Sequence, residues 1–243
     1  MSGDVDLSTI GSLLAEPARC RMLMALADGR ALPATTLARE AHVAASTATG
    51  HLHRLVDAGW LEVEPHGRYR FYRLHGGEVV ELLEVMARMA PVEPVRSLAG
   101  DHQRRALRRA RTCYRHLAGR LGVELLAAMV DRAWIDGHDG TFRPAEERLS
   151  SPVADTIYRV TERGAEQLCA AGLSVHPGQA APHCVDWSEQ RHHLGGSLGG
   201  DVAGLLFVRG WIARAPVGRA VTITEAGASG LGALLGMDIQ KLL

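Results

Sequence analysis

The chain has 243 residues, enough for one large domain or two of ordinary size. Hydrophobic residues make up 47% of it and the mean hydropathy is close to zero, as expected for a globular protein with an ample core. Basic and acidic residues both number 27, so the net charge identifies no nucleic-acid or membrane partner.

The N-terminal segment and the cysteines predict a cytoplasmic protein. Residues 1–10 have neither a basic region nor an apolar core, so we expect no signal peptide. No stretch approaches about 18 uninterrupted apolar residues, so we expect no membrane span. The cysteines form no Cys-x-x-Cys pair, and a cytosolic chain would keep them as thiols. They are Cys20, Cys113, Cys169 and Cys184.

The first ninety residues predict a series of short helices followed by a β-hairpin. Apolar residues at helical spacing predict a helix over residues 7–14 and a second that starts at Pro17, which suits a first helical position. A short helix over Ala34–Ala41 and a tight turn lead into a helix that Gly59 ends. Two segments rich in β-formers, WLEVEP and YRFYRL, then flank a turn, and an amphipathic helix covers Glu78–Met89.

This order of elements is that of a winged helix-turn-helix. The helix before Gly59 has a polar face of small hydroxyl side chains, which could enter a major groove about 12 Å wide. Arginines of the hairpin could reach the adjacent phosphates or the minor groove. The predicted DNA-binding residues are Ser46, Thr47, Thr49, Gly50, His51 and Arg54 on the helix, and Arg68 and Arg70 on the wing.

Residues 7–90 resemble the DNA-binding core of the ArsR/SmtB family of bacterial repressors. The resemblance rests on EPARCRMLMAL, on the His51-Leu52 pair, on the exit from the helix over Leu55–Gly59, and on a Gly-Arg wing tip. It implies a homodimer whose interface uses the first and last helices of this region. It also implies a DNA-binding repressor with an inverted-repeat operator, whose half-sites lie about one helical turn apart or a small multiple of that.

The two metal sites common in that family are missing from the corresponding segments. Members often bind metal through a Cys-x-Cys in the short helix before the recognition helix, but LPATTLARE has no cysteine. Another family site uses Asp and His on the helix after the wing, and EVVELLEVMARM has neither. The sequence therefore has neither of the common metal sites of the family.

The winged region is slightly acidic, which is unusual for a DNA-binding domain. Residues 1–90 contain nine arginines and eleven acidic residues. A local positive face on the recognition helix is still compatible with DNA binding. A winged-helix module that binds another protein is the alternative function.

A proline-containing hinge over residues 91–101 separates the winged region from the rest. We predict a DNA-binding domain over residues 1–92 and an effector or dimerisation domain over residues 93–243. The arginine-dense stretch from Arg104 to Arg120 predicts a long helix with a solvated basic face, with an anionic-ligand contact as the alternative.

The second half contains a repeated pattern. The motif HLAGRLG at 116–122 returns as HLGGSLG at 193–199, and Trp134 returns as Trp211 at the same offset of 77 residues. Thr-x-x-Gly motifs follow in both copies at an offset of 63, so the first copy has 14 additional residues.

We predict two similar units, approximately residues 104–172 and 183–243. Each should have a helix over HLxGxLG, a helix ending in Trp-Ile, a short strand, a turn and a further helix. The predicted fold class is mainly α with small β wings: a winged helix-turn-helix followed by a helical domain of two similar α/β-hairpin-like units.

Cysteine and histidine residues collect around both copies of the motif. In the repeat alignment Cys113 falls opposite Gln190, and Cys184 has no counterpart. If the two units pack about a pseudo-twofold axis, these segments could face one another. The candidate effector or metal-binding residues are Cys113, His116, His183, Cys184, Asp186, His192 and His193.

Four interpretations of these residues stay open. Thiolate and imidazole suit a soft or borderline metal such as zinc, copper(I) or a trivalent metalloid, and Cys113 and His116 would share one face of a helix. Two nearby thiols would suit a redox switch. An organic-ligand pocket between the units and a pure dimerisation scaffold are the others. No Gly-rich phosphate loop, GxSxG or HExxH motif is present, so we do not expect an enzyme.

Overall fold

A computed structural model describes residues 5–67, 69–91, 98–144, 157–215 and 218–242. The chain divides into two compact units, Met1–Leu83 and Glu84–Leu243. This division falls within a helix, whereas residues 92–97 of the predicted hinge lie outside the described residues. The predicted domain bounds at residues 92 and 93 stay a prediction.

The first unit is a winged helix-turn-helix, as predicted. Its three strands form one antiparallel sheet in the order β1-β3-β2, and the β2–β3 hairpin is the wing. The helix that follows the wing, α5, starts in this unit and ends in the second. The elements are α1 Leu7–Leu14, α2 Pro17–Leu26, β1 Leu32–Pro33, α3 Ala34–Ala41, α4 Ala45–Asp57, β2 Leu61–His66, β3 Tyr69–Leu74 and α5 Glu78–Met89.

Local sequence explains the helix-turn-helix. Pro17 is the first residue of α2, where its missing N–H costs no hydrogen bond. His42 ends α3 in the left-handed conformation, at φ 57°, and its N–H donates to Ala38 and Arg39. Leu37 on α3 and Leu52 on α4 are fully buried, so the apolar faces of the two helices form the core of the unit.

The second unit contains two successive sets of elements in the same order. Each set is a two-stranded hairpin, a helix, a second two-stranded sheet and a further helix. The first set is β4 Arg111–Cys113, β5 His116–Ala118, α7 Gly119–Asp131, β6 Ile135–Asp136, β7 Arg159–Val160 and α8 Glu162–Ala170. The second is β8 His183–Val185, β9 His192–Leu194, α9 Gly196–Val208, β10 Ile212–Arg214, β11 Val221–Ile223 and α10 Glu225–Leu235. Helix α6, Leu98–Arg109, precedes both.

The helix predicted at the start of each HLxGxLG motif is wrong. His116-Leu117 and His193-Leu194 lie on strands, and the helix begins only after them, at Gly119 and Gly196. All residues of both strands are buried, so an amphipathic pattern could not distinguish them from a buried helix.

The two sets share one core rather than folding around separate ones. Leu121 of α7 and Leu198 of α9 are fully buried in the same apolar cluster. In both sets a threonine caps the last helix: Thr161 accepts from the N–H of Gly164 at 2.9 Å, and Thr224 accepts from that of Gly227 at 3.0 Å. The shared core fixes the two hairpins relative to one another.

Candidate functional site

The predicted recognition helix α4 presents its polar face to solvent. Ala48, Leu52 and Leu55 form its buried face and pack into the winged unit. The exposed positions include five of the six predicted major-groove residues, namely Ser46, Thr47, Thr49, Gly50 and Arg54. The helix can therefore offer hydroxyl and guanidinium groups to base edges without losing its packing.

The sixth predicted residue, His51, is half-buried. Its Nδ1 lies 3.3 Å from NH1 of Arg19, whose guanidinium also donates to the carbonyls of Leu13 and Ser12, each at 2.7 Å. Arg19 therefore connects the end of α1 to α4, a role that the sequence analysis missed. It also missed His53, which is exposed on α4.

On the wing, the structure describes only one of the two predicted arginines. Arg70 on β3 is exposed and lies opposite Pro65, while Arg68 lies outside the described residues. The neighbouring Arg73 is paired with Glu62 at 3.0 Å and with Glu64 at 2.8 Å. Arg70 forms no ion pair with any described residue, so its charge remains available to a phosphate.

Four of the seven predicted effector residues meet in the second unit. Cys113, His116, Cys184 and His193 each offer one ligand atom, and these atoms all lie within 4.8 Å of one another. We call this group the Cys2His2 cluster. Its members come from two hairpins that are far apart in sequence, β4–β5 and β8–β9.

Each hairpin supplies one cysteine and one histidine from opposite positions. Cys113 pairs with His116 in the register of the first hairpin, and Cys184 pairs with His193 in that of the second. The structural counterpart of Cys113 is therefore Cys184, and its alignment with Gln190 is wrong. The second hairpin has a longer loop, residues 186–191, which shifts its cysteine along the sequence.

Two glycines allow the hairpins to come this close. A Cβ at Gly122 of α7 would lie 3.4 Å from Cβ of His193, and one at Gly199 of α9 would lie 2.9 Å from Cβ of His116. The helix of each set thus lies against the histidine of the other set. A Cβ at Gly199 would be too close to His116, whereas the closest contact of a Cβ at Gly122 would be the carbonyl oxygen of Leu117, at 2.4 Å.

Three of the four cluster residues are buried, Cys184 is partly exposed, and some of the histidine nitrogens have no hydrogen bond to a described residue. His193 is fully buried, Cys113 is 2% exposed and His116 is 7% exposed. Within the described residues, both ring nitrogens of His193 and Nδ1 of His116 lack a hydrogen-bond partner. Nε2 of His116 lies 3.9 Å from Sγ of Cys184. Buried polar atoms without partners are uncommon and costly, which makes this cluster a candidate binding site.

The two thiols have opposite pKa shifts. A hydrogen bond from Cys113, with further help from His116, lowers the pKa of Cys184 well below its usual range. That same hydrogen bond, together with burial, raises the pKa of Cys113. Burial alone would lower the pKa of His193, but Cys184 and Asp186 outweigh it and raise that pKa. One cluster thiolate is therefore stabilised by its neighbours.

Asp186 lies beside the cluster but does not offer it a ligand atom. Its Oδ2 accepts from Arg111 at 2.9 Å and from the N–H of Gly119 at 2.6 Å, and its Oδ1 accepts from Ser188 and Glu189. Burial would raise the pKa of Asp186, but the Arg111 charge holds it well below its usual range. The same Oδ2 lies 3.7 Å from Nδ1 of His193, which is too far for a hydrogen bond, so its negative charge lies near a cluster histidine without bonding to it.

Arg111 is another residue whose role the sequence analysis missed. The predicted solvated basic helix ends at Arg109, and Arg111 on β4 is fully buried. Its guanidinium lies 4.5 Å from the ring centre of Trp187, and it neutralises Asp186. A buried acid is the signal that could have indicated a buried arginine partner.

The other two predicted residues, His183 and His192, lie outside the cluster. Neighbouring residues on a strand point to opposite faces, so His192 faces away from the cluster that His193 joins. Nδ1 of His192 lies 2.9 Å from the hydroxyl of Tyr158, and its ring centre is 4.2 Å from that of His183. Burial lowers the pKa of His192 to about 4, so this imidazole is neutral at physiological pH.

The cluster hairpins also contact the second half of α5. NH1 of Arg88 donates to the carbonyl of Val185, next to Cys184, at 2.8 Å. Glu84 lies 3.0 Å from Arg219 and 3.8 Å from the buried Arg111. Helix α5 is therefore held by residues directly adjacent to the cluster.

None of the described helices is both long enough and apolar enough to cross a membrane. The arrangement of α3, α4 and the β2–β3 hairpin, with a polar recognition face, defines a winged helix-turn-helix DNA-binding protein.

Comparison with known proteins agrees with this class. A family model described as Helix-turn-helix domain matches residues 14–64. The chain is 34% identical over 227 residues to YdfF of Bacillus subtilis (strain 168), which is described as an uncharacterized HTH-type transcriptional regulator. The alignment covers 91% of this chain and 93% of that protein. The chain belongs to this family of helix-turn-helix transcriptional regulators, and it is a DNA-binding regulator of transcription.

Three solved structures each cover about a third of this chain. Reduced HlyU from Vibrio cholerae N16961 is 22% identical, with a TM-score of 0.32, over 35% of this chain and 88% of that one. The transcriptional repressor BigR from Xylella fastidiosa is 18% identical, with a TM-score of 0.33, over 36% and 88%. The winged helix-turn-helix domain of Mb0332 from Mycobacterium bovis, a possible ArsR-family regulator, is 26% identical, with a TM-score of 0.30, over 35% of this chain and 86% of that one.

Proposed function

We propose that the chain is a repressor that binds an inverted-repeat operator as a homodimer, and that an effector bound by residues 84–243 changes its affinity for DNA. The observation that carries this proposal is the exposed polar face of α4 in a member of a regulator family. Hydroxyl groups there suit contacts to base edges, and exposed arginines suit contacts to phosphates. A cytoplasmic location and the lack of catalysis stay predictions.

Exposed apolar side chains support the dimer. Leu7 on α1 is 74% exposed, and Met89 at the end of α5 is 78% exposed. The resemblance to the ArsR/SmtB family implies an interface that uses these two helices. Large exposed apolar side chains at an implied interface are expected to be covered by a partner.

The first test identifies the DNA that the full chain prefers. Duplexes enriched from a random-sequence library should contain an inverted repeat whose half-sites lie about one helical turn apart, or a small multiple of that. Light scattering of the complex should give two chains per duplex. If no sequence is enriched and a protein partner competes for α4, the alternative of a protein-interaction module is correct.

The wing is tested by Arg70→Ala. Loss of one phosphate contact should weaken binding to all sequences and lower the slope of log affinity against log salt by about one. Arg163→Ala, which removes an exposed arginine on α8, is the matched control and should leave the slope unchanged. An unchanged slope in Arg70→Ala would reject the wing contact.

A further inference from the structure

We propose that Cys113, His116, Cys184 and His193 together bind one zinc(II) ion, and that this ion is the effector of the regulator. Metal binding stands on the geometry of the cluster alone. The effector role rests on the proposed function, because it requires that the chain binds an operator.

The spacing of the ligand atoms suits a single four-coordinate ion. Tetrahedral zinc holds sulfur at about 2.3 Å and nitrogen at about 2.0 Å, so its ligand atoms lie about 3.3–3.8 Å from one another. In the cluster all four atoms lie within 4.8 Å of one another, and Sγ of Cys184 is 3.9 Å from Nε2 of His116. Metal binding therefore requires the ligand atoms to move closer together by about 1 Å at most.

The donor set selects the class of metal. Two thiols and two imidazoles in a tetrahedral arrangement suit zinc, whereas magnesium and calcium require oxygen ligands. A two-iron cluster with the same residues places its two cysteines on one iron and its two histidines on the other. Here Sγ of Cys184 lies 3.9 Å from Nε2 of His116 on the other hairpin. The sulfur and nitrogen ligands are therefore arranged around a single metal position and not around two separate irons.

Burial supplies an independent reason for a bound cation. His193 is fully buried and neither of its ring nitrogens has a hydrogen-bond partner among the described residues. Coordination through one nitrogen would satisfy it, while the other faces Asp186 at 3.7 Å. A carboxylate behind a metal-bound histidine is the usual way in which proteins orient such a ligand.

Residues next to the cluster contact α5, the helix whose first residues belong to the winged unit. A bound ion fixes the distance between the two hairpins, because each hairpin supplies two ligands. Val185, next to Cys184, is held by Arg88, and Asp186 is connected through Arg111 to Glu84. Both Arg88 and Glu84 lie on α5, and the first residues of this helix belong to the winged unit.

Metal binding is tested on the full chain after removal of metal under reducing conditions. Zinc titrated against a chromophoric chelator should bind at one ion per chain, and cobalt(II) should give the absorption of a tetrahedral site with thiolate charge transfer. Cys113→Ser and Cys184→Ser should each weaken zinc binding about 100-fold or more. The matched control is Cys169→Ser, which changes an exposed thiol and should leave binding unchanged.

A second readout needs no variant. Zinc should protect Cys113 and Cys184 from alkylation, as located by mass spectrometry, while Cys169 stays reactive. Less than one ion per chain, octahedral cobalt or unprotected cluster thiols would overturn the metal site. A chain that takes up no zinc but forms a Cys113–Cys184 disulfide with a mild oxidant would replace it with the redox switch.

The effector role is tested separately with the duplex enriched by the wild-type chain. One equivalent of zinc should change its affinity at least about fivefold, and Cys184→Ser should lose this response. If zinc binds and DNA affinity does not change, the ion is structural and the effector role is wrong. If the chain binds zinc and no DNA in either state, the proposed function fails while the metal site stands.

Discussion

The two hairpins of the second unit have the same register and different connections. In both, a cysteine lies opposite a histidine, and both pairs enter one cluster. Tyr114 and Arg115 alone join the strands of the first hairpin, whereas residues 186–191 join those of the second. The shared strand register preserves the cluster although the loop lengths differ. A fixed sequence offset therefore aligns the two histidines of the cluster but not its two cysteines.

The longer loop also contacts the other hairpin, which the short turn does not do in the same way. Asp186 begins this loop and accepts from the N–H of Gly119, which directly follows the first hairpin. Trp187 of the same loop lies against the guanidinium of Arg111 on that hairpin. The loop of the second hairpin thus anchors the first hairpin, while Arg115 in the short turn is exposed.

The largest expected effect comes from removing this anchor. Asp186→Asn should lower the free energy of unfolding by about 3–5 kcal/mol, because it leaves the guanidinium of Arg111 buried without its closest counter-ion. Urea unfolding followed by tryptophan fluorescence measures this change. Arg115→Ala in the short turn is the matched control and should change stability by less than about 0.5 kcal/mol.

A double variant sharpens the interpretation of Asp186→Asn. Arg111→Met combined with Asp186→Asn should recover part of the lost stability, since an apolar side chain of similar length needs no counter-ion. Strict additivity of the two changes would show that the ion pair does not account for the loss.

An intermediate effect is expected where each helix lies against the other set's histidine. Gly199→Ala should lower the free energy of unfolding by about 1–3 kcal/mol, because its Cβ would lie 2.5 Å from the carbonyl oxygen of Leu194 and 2.9 Å from Cβ of His116. Gly122→Ala should lower it by a similar amount, because its Cβ would lie 2.4 Å from the carbonyl oxygen of Leu117, while its contact with Cβ of His193 is an ordinary 3.4 Å. The midpoint of thermal unfolding measures the loss of stability in each of the two variants.

Helix α9 provides its own control for these glycines. A Cβ at Gly204 would meet no atom within 4 Å, so Gly204→Ala should stabilise the helix by up to about 1 kcal/mol. Equal destabilisation at Gly204 and Gly199 would mean that backbone effects, and not the approach to His116, decide the outcome.

The smallest expected effect concerns the two turns. Tyr114 and Gln190 both adopt left-handed backbone angles, at φ 54° and 53°. Gln190→Gly should stabilise the chain by about 0.5 kcal/mol, because glycine adopts this conformation without steric cost. Tyr114→Gly should gain less, since it also removes a half-buried ring. Thermal unfolding distinguishes the two variants. A lower stability of Gln190→Gly would show that the left-handed backbone at this position carries no steric cost.

Local patterns predicted the winged unit well. Pro17, Ala34–Ala41 and Glu78–Met89 begin or bound helices as predicted, because capping, turn chemistry and apolar spacing act over a few residues. The fully buried strands around His116 and His193 were predicted as helix, because a short apolar run has no period that separates the two.

The sequence alone was enough to predict the order of the winged elements, the polar face of α4 and the residue types of the candidate site. Only the tertiary structure decided which candidates meet: His193 enters the Cys2His2 cluster, while His192 turns to Tyr158. It also paired Cys184 with Cys113 across a loop that shifts their alignment. The physical reason is that strand register and a shared core set these distances, and both depend on residues far apart in the chain.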